Sequence, residues 1–407
     1  MAEKKTILLG VTGGIAAYKA ASLASALTKR NYTVLPVLTK GACEFVSPLT
    51  FTAVTGNKAL TELFGSGIEP EIAHIALAKR ADLVLIAPAT ADVLAKLANG
   101  IADDLLTSAV LAATCKKLIA PAMNTHMFEN PATQRNLARL RADGFGVVEP
   151  GRGHLACGED GRGRLADEED LIAAVERALH GNDSLAGKKV VVSAGPTIEP
   201  IDPVRYLTNR STGKMGYAVA KMAALRGANV VLVSGKTNLP APYGTDVIRV
   251  ETAAEMAQAV LKEAAEADLV IMAAAVADYT PAEYAENKIK KSDGELTLAL
   301  RRTEDILAAL GERKPDWQAL CGFSMETENL LENSRKKLAA KRADLIVANS
   351  VAEEGSGFAC DTNKAVLLSA QEETVLPMMT KEALADAILD RLAEMLDAKI
   401  SAGAVKS

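Results

Sequence analysis

The chain alternates short apolar, β-branched runs with alanine-rich stretches on both sides of a polar seam, HGNDSLAGKK at 180–189. The apolar runs, bounded by small residues, predict buried strands, and the alanine-rich stretches predict helices. One phrase recurs without forming a tandem repeat: ADLVLIAPAT at 81–90, ADLVIMAAAVADY at 267–279 and ADLIVANSV at 343–351. Each predicts a helix end turning into a buried strand that stops at small or polar residues. Pro88 is expected to break its strand, and Asp278 to stand at a strand end.

Strand–helix alternation of this kind is the βαβ signature of an open parallel sheet. The fold expected is α/β, with two Rossmann-like domains, each an open mostly parallel sheet flanked by helices. Their bounds are 1–181 and 188–400, with a linker at 182–187. In such sheets ligands sit outside the carboxyl ends of the strands, so PATAD, AVADY and ANS are expected to face crevices. Two strand–glycine–helix openings reinforce this: TILLGVTGGIAAYKAASLASAL after Lys5, and VVVSAGPT after Lys189, continuing to NRSTGKMGYAVAKMAAL. That geometry aims backbone N–H groups and a helix dipole at a phosphate. A single such turn is often only a tight turn; two, each heading its own polar motifs, point to two nucleotide-type sites. The segments 151–164 and 286–295 lack an apolar period and read as mobile covers.

Length and composition narrow the classes. At 407 residues the chain exceeds one ordinary core. Aromatics are only 4% while Ala, Val, Leu and Gly dominate, which suits helices packed on a buried parallel sheet. A net charge of −5 with no basic stripe argues against nucleic acid. No charge-free apolar run reaches the ~20 residues of a membrane span. The start runs from charge directly into a strand, unlike a signal peptide. The five cysteines form no C-x-x-C pair, so a reducing cytoplasm is expected, without a disulfide framework or a zinc site.

Candidate chemistry gathers in a few places. Gly13 and Gly14 open a helix, with the hydroxyls of Thr39, Thr90 and Ser108 near strand or helix ends. In LIAPAMNTHMFENPAT, Asn124 is either a helix cap or an amide that holds a carboxylate without protonating it. His74 is either a hydrogen-bonded core residue or a base, and Cys157 an inert thiol or a working one. In the second half Arg205, Asn209, Arg210 and Lys214 form either a solvated loop or a set of donors for phosphate and an acyl oxygen. Asp278 suits ribose or base hydroxyls, Lys288 a triphosphate and Phe323 a base, while Lys337 and Lys341 share a helix face.

Taken together, TGGIAAYK, His74, PATADVLAK, PAMNTHMF and ACGEDGRGRL resemble the flavin-dependent cysteine decarboxylases. With the second half, nearly all of 1–400 resembles the bacterial bifunctional phosphopantothenoylcysteine decarboxylase / phosphopantothenate–cysteine ligase family. The resemblance implies FMN held by Gly13, Gly14, Thr39, Thr90, Asp92, Ser108 and Ala122. It implies His74 as base, Asn124 as carboxylate binder and Cys157 as proton donor in a lid, with FMN oxidising the cysteinyl thiol so that CO2 can leave. For the ligase it implies CTP with Mg2+ or another divalent cation. Asn209 and Arg205 would hold an acyl-cytidylate, and Lys288 would help to form it. CTP contacts would be Ala273, Ala274, Ala275, Asp278, Lys288, Thr303, Glu304, Asp305, Ile306, Phe323, Lys337 and Lys341. The substrates would be 4′-phosphopantothenate, cysteine and CTP, with no nucleic acid or membrane as partner. A large homo-oligomer, a dodecamer, is also implied, with trimeric decarboxylase contacts that put FMN at subunit interfaces and dimeric ligase contacts near NRSTGKMG.

Departures from that pattern are Thr90, Asp92, Phe128 and Glu304, where Ser, Asn, Trp and Pro are common, and GFACDTNKAVLL, where an acidic residue often precedes Asn. The Asp92 charge would disfavour a reduced, anionic flavin. Rival readings are prenyl-transfer or peptide-decarboxylase chemistry, and a flavin-bearing regulatory protein. The second domain argues against the first, and the lack of an acidic tail against the second.

Overall fold

The computed structural model describes residues 4–63, 73–154, 160–180, 182–290, 296–326, 329–350 and 360–403. They fall into two compact units, Met1–Gly181 and Asn182–Ser407.

In the first unit five parallel strands stand in the order Thr33–Leu38, Thr6–Val11, Leu83–Ala89, Lys116–Pro121, Phe145–Val147. Leu83–Ala89 is buried at every position, because helices cover both faces and no residue is left to alternate outward. The helix Ala17–Lys29 buries Ala17, Ala20, Leu23, Ala24 and Leu27, one stripe of a 3.6-residue period. From Thr6–Val11 the chain first builds one side of the sheet and then crosses to Leu83–Ala89 on the other. The carboxyl ends of those two strands therefore flank a crevice.

Two expectations need correction here. Pro88 does not end its strand: pairing resumes at Ala89 after a register shift, because a residue without N–H can be skipped in the ladder. The glycine-rich segment is not simply irregular, since Gly151–His154 and Asp160–Arg164 pair antiparallel. Gly163, at φ +136°, packs where a Cβ would lie 2.2 Å from the Met123 carbonyl oxygen, so the hairpin docks closely on that residue.

The second unit holds eight strands in the order Thr245–Arg249, Asn229–Ser234, Lys189–Ala194, Leu269–Met272, Ala319–Glu326, Leu345–Ser350, Ala365–Leu368, Glu373–Val375. The first six are parallel and the last two antiparallel. Strand order reverses between Lys189–Ala194 and Leu269–Met272, which again opens a crevice. One face carries the helices Lys214–Leu225 and Lys381–Ser401 over Val190, Val192, Ile271, Cys321 and Val347. The other carries Ala253–Ala264, Ile306–Arg313 and Leu330–Ala340 over Val191, Val270, Leu320 and Ile346. Leu185, inside the stretch read as a linker, is fully buried in the first of these cores.

Asp278 also differs from expectation. Its strand ends at Met272, and the small residues that follow bond sideways: Ala275 N–H to the Gly195 carbonyl, Ala277 N–H to the Thr197 hydroxyl. In the basic loop, Ile289 is tied down through both its N–H and its carbonyl. No helix among the described residues is long and apolar enough to cross a membrane.

Gly216 marks where Lys214–Leu225 crosses Lys189–Ala194, since a Cβ there would meet Ala194 Cβ at 2.6 Å and the Ser193 carbonyl oxygen at 2.9 Å. Gly216→Val is expected to lower stability by about 1–3 kcal/mol through overpacking, read as a lower urea midpoint.

Candidate active sites

The first cleft, of about 820 Å3, lies over the crevice between Thr6–Val11 and Leu83–Ala89. It is lined by Gly13, Gly14, Thr39, Thr90, Asp92, Ala122 and Asn124, all singled out from sequence. Several helices begin at its edge. Thr39 caps Lys40–Cys43, Thr90 caps Ala91–Ala98, and Asn124 caps Thr125–Glu129 by accepting the His126 N–H at 2.8 Å. A helix start carries N–H groups without an intrahelical partner and the positive end of the helix dipole.

Behind this rim Thr12 is fully buried and ties the two strand ends together, donating to the Pro88 carbonyl at 2.8 Å and accepting the Thr90 N–H at 3.0 Å. Gly13 faces Gly41 main chain against main chain; a Cβ on Gly13 would lie 2.8 Å from the Gly41 carbonyl carbon. Ile15, Pro88, Met123, Met127 and Leu165 add apolar walls. A slot with apolar walls and a rim of amides and hydroxyls fits a flat tricyclic ring bearing a phosphate. Asp92 forms an ion pair with Lys96 at 3.4 Å, which offsets the charge that would oppose flavin reduction.

Ser108 and His74 are not among the lining residues. Ser108 sits inside Leu105–Ala112 and donates to the Ala102 carbonyl at 3.3 Å, while His74 is half-buried in Ala73–Arg80. Cys157 lies outside the described residues. Asp104, Lys96 and Arg164 line the cleft but were not anticipated. Asp104 had a legible signal, the D-x-x-T capping pattern that it forms with Thr107.

The second cleft, of about 610 Å3, is lined by Asn209, Ala273, Ala274, Ala275, Asp278, Thr303, Glu304, Asp305, Phe323, Lys337 and Lys341. Asp305 caps Ile306–Arg313 and accepts the Lys341 ammonium at 2.5 Å, while Lys337 donates to the Phe323 carbonyl at 2.9 Å. Asn209 donates to the Ala275 carbonyl at 3.0 Å. Ile306 is buried in the core behind the cleft. Arg205 and Lys288 do not line it. Arg205 binds the buried Asp202 at 2.6 and 2.9 Å and the Ile289 carbonyl at 2.9 Å, and Asp202 also accepts the Ile289 N–H. Arg205 and Lys288, two of the three residues expected to serve the acyl-cytidylate, are thus joined through Ile289, the neighbour of Lys288. The Arg205 guanidinium holds the Asp202 carboxyl well below the usual carboxylate range, helped by the N–H groups of Val204, Ile289 and Arg205.

Lys381, Asn349 and Asn363 also line this cleft. ANS pointed to Asn349, but TKEALADAI gives no sign that Lys381 is inward, since it reads as a solvated helix start. Burial, and then the charge of Lys214, lower the Lys381 pKa below that of an ordinary lysine. Among the described residues no group of three or more His, Cys, Asp or Glu is placed to hold a metal ion.

Thr12→Val leaves the Thr90 N–H without its acceptor and is expected to cost about 1–3 kcal/mol, seen as a lower melting temperature. Asp202 is ionised in the fold at a depressed pKa, so its contribution is present above the unfolded value and lost as pH falls below about 4. Asp202→Asn is expected to lower stability at neutral pH and to flatten the acid limb of a stability–pH curve.

A family model described as Flavoprotein matches residues 1–180, and one described as DNA/pantothenate metabolism flavoprotein C-terminal domain matches 185–396. The coenzyme A biosynthesis bifunctional protein CoaBC of Bacillus subtilis is 47% identical over 399 residues, covering 97% of this chain and 98% of its own. The Vibrio vulnificus protein of that name is 44% identical over 394 residues, covering 96% and 98%. That of Mycobacterium tuberculosis is 43% identical over 408 residues, covering 96% and 97%.

Proposed function

This chain belongs to the family of bifunctional coenzyme A biosynthesis proteins, a decarboxylase joined to a ligase, and on that premise we propose the substrates and residue roles of each half. The second unit joins 4′-phosphopantothenate to cysteine with CTP, and the first decarboxylates the phosphopantothenoylcysteine so formed to 4′-phosphopantetheine. The observation that carries the reading is the meeting, in one cleft, of capped helix starts, an apolar slot and the Asn124 amide.

FMN, when bound there, supplies two-electron oxidation and re-reduction of the substrate's thiol carbon. The residues do the rest. Gly13, Gly14, Thr39 and Thr90 would present N–H and hydroxyl groups to the phosphate, with Ala122 at the ring and Asp92 at the margin. Asn124 has its oxygen turned to the His126 N–H, so its N–H2 donates to the substrate carboxylate and leaves it ionised for loss of CO2. His74 acts as base and Cys157 as proton donor. His74 does not line the cleft of this chain, while Ile15, Tyr18 and Met127 at its edge are 59%, 60% and 51% exposed. Both facts favour a cleft completed by another copy in a large homo-oligomer.

In the ligase, the acid's carboxylate attacks the α-phosphorus of CTP, pyrophosphate leaves, and an acyl-cytidylate forms. The amine of cysteine then attacks the acyl carbon, CMP leaves with the electron pair, and an amide and a proton remain. Lys288, Lys337 and Lys341 offset the phosphate charge, Asn209 and Arg205 hold the acyl group, and Ala273, Ala274 and Ala275 bring backbone close to the nucleotide. Asp278, the turn from Thr303 through Glu304 and Asp305 to Ile306, and Phe323 complete the contacts. Magnesium or another divalent cation would enter with the nucleotide and offset the charge of the triphosphate. The thiols of Cys43, Cys115, Cys321 and Cys360 are unpaired with one another, which suits a reducing cytoplasm.

The purified protein is expected to be yellow and to release CO2 from phosphopantothenoylcysteine. Asn124→Asp is expected to abolish that release while leaving ligation intact. Lys288→Gln should do the converse, stopping pyrophosphate release from CTP and phosphopantothenate. A colourless protein that takes up no flavin would sink the assignment of the first unit.

A further inference from the structure

The loop that bears Asn124 is covered on one side by the strand Asp160–Arg164. The Met123 N–H donates to the Gly163 carbonyl at 2.9 Å. A Cβ on Gly161 would lie 2.3 Å from the Thr125 hydroxyl oxygen, just as one on Gly163 would meet the Met123 carbonyl, so the strand lies flush on Met123–Thr125. Residues two apart share one face of a strand, and here both are glycine. At these two positions no side chain of the hairpin stands between it and the residue proposed to hold the substrate carboxylate.

Arg162, between the two glycines, adds side-chain anchors. Its guanidinium carbon lies 5.7 Å from the centre of the Phe128 ring, within the range of a cation–π contact. Phe128 is buried in the core and belongs to Thr125–Glu129, the helix that Asn124 caps. Arg162 also pairs with Glu149 at 3.5 Å, and the other oxygen of Glu149 is held by Arg141 at 2.5 Å. The hairpin is thus joined to the helix that starts at Asn124 and, through Glu149, to Pro131–Ala142. The side chains of Arg162 and Glu149 are 51% and 52% exposed, and exposed pairs of this kind add little to stability. Their effect is to favour one placement of the hairpin, and of Met123 and Asn124 with it. Gly163 and Arg164 line the first cleft but Arg162 does not, so it acts on a substrate only through its neighbours.

We infer that Arg162 is a positioning residue of the decarboxylase: by holding the hairpin to the helix that Asn124 caps, it fixes where the Asn124 amide meets the substrate carboxylate. The inference rests on the decarboxylase reading above.

Phosphopantetheine, the product, has the frame of the substrate without its carboxylate and is the probe. With the full-length, flavin-loaded protein, Arg162→Met is expected to raise KM for phosphopantothenoylcysteine by about threefold to fivefold, the scale of one exposed cation–π contact. The inhibition constant of phosphopantetheine should be unchanged. Arg162→Lys, which keeps a cation over Phe128, should recover most of the loss. Hydrogen exchange at the Met123 amide is expected to quicken in Arg162→Met, with or without flavin, and Glu149→Gln should move both readouts the same way by less. An unchanged KM, a KM and an inhibition constant that rise together, or unaltered exchange at Met123 would each overturn the positioning role. If the unaltered protein released no CO2, the decarboxylase reading would fall, and this role with it.

Discussion

Parallel strands cannot be joined by a tight turn, and that constraint organises both units. Each connection has to carry the chain back along the sheet, and a helix usually does so, starting near the carboxyl end of the strand just completed. The first turn of every such helix brings N–H groups with no partner of their own. Sheet topology alone thus delivers a row of hydrogen-bond donors to one edge, and strand reversal opens a gap in that edge wide enough for a ligand. In the first unit the gap lies between Thr6–Val11 and Leu83–Ala89, in the second between Lys189–Ala194 and Leu269–Met272.

What differs between the units is how charge is added to this common frame. The first cleft relies mainly on hydroxyl and amide caps, with Asp92 offset by Lys96, a balance that suits a ring whose electron count changes. The second adds Lys337 and Lys341 on one face of the sheet and Lys214 and Lys381 on the other. Asp202 performs a supporting task. Buried, ionised and bonded to Arg205 and Ile289, it ties the hairpin formed by Ile198–Pro200 and Tyr206–Thr208 to the loop that bears Lys288.

The strands and helices that build the frame were legible because burial on both faces leaves uninterrupted apolar runs. The cleft-lining glycines, threonines and Asn124 were legible for a related reason, since small and polar residues at the end of such a run have few other uses. Contacts between segments distant in sequence were not. Nothing near Pro88 announces that its strand resumes, because that depends on the neighbouring strand Lys116–Pro121. Asp278 looked like a strand end until the loop at Gly195–Thr197 was seen to take up the preceding backbone groups. Lys381 resembles any solvated lysine at a helix start, and the Cys360 carbonyl that it bonds and the Lys214 charge that acts on it both lie outside its own helix.

The contact between Gly13 and Gly41 has a consequence for how such a protein can change over time. Because the two loops meet through main-chain atoms, with no side chain between them, the gauge of the first cleft at this point is set by peptide planes. Replacements at Ile15, Met123 or Met127 can repaint its walls, but widening or narrowing it demands movement of whole loops. A slot of that kind keeps its width while its surroundings drift, and engineering it for a bulkier guest would have to begin with the backbone.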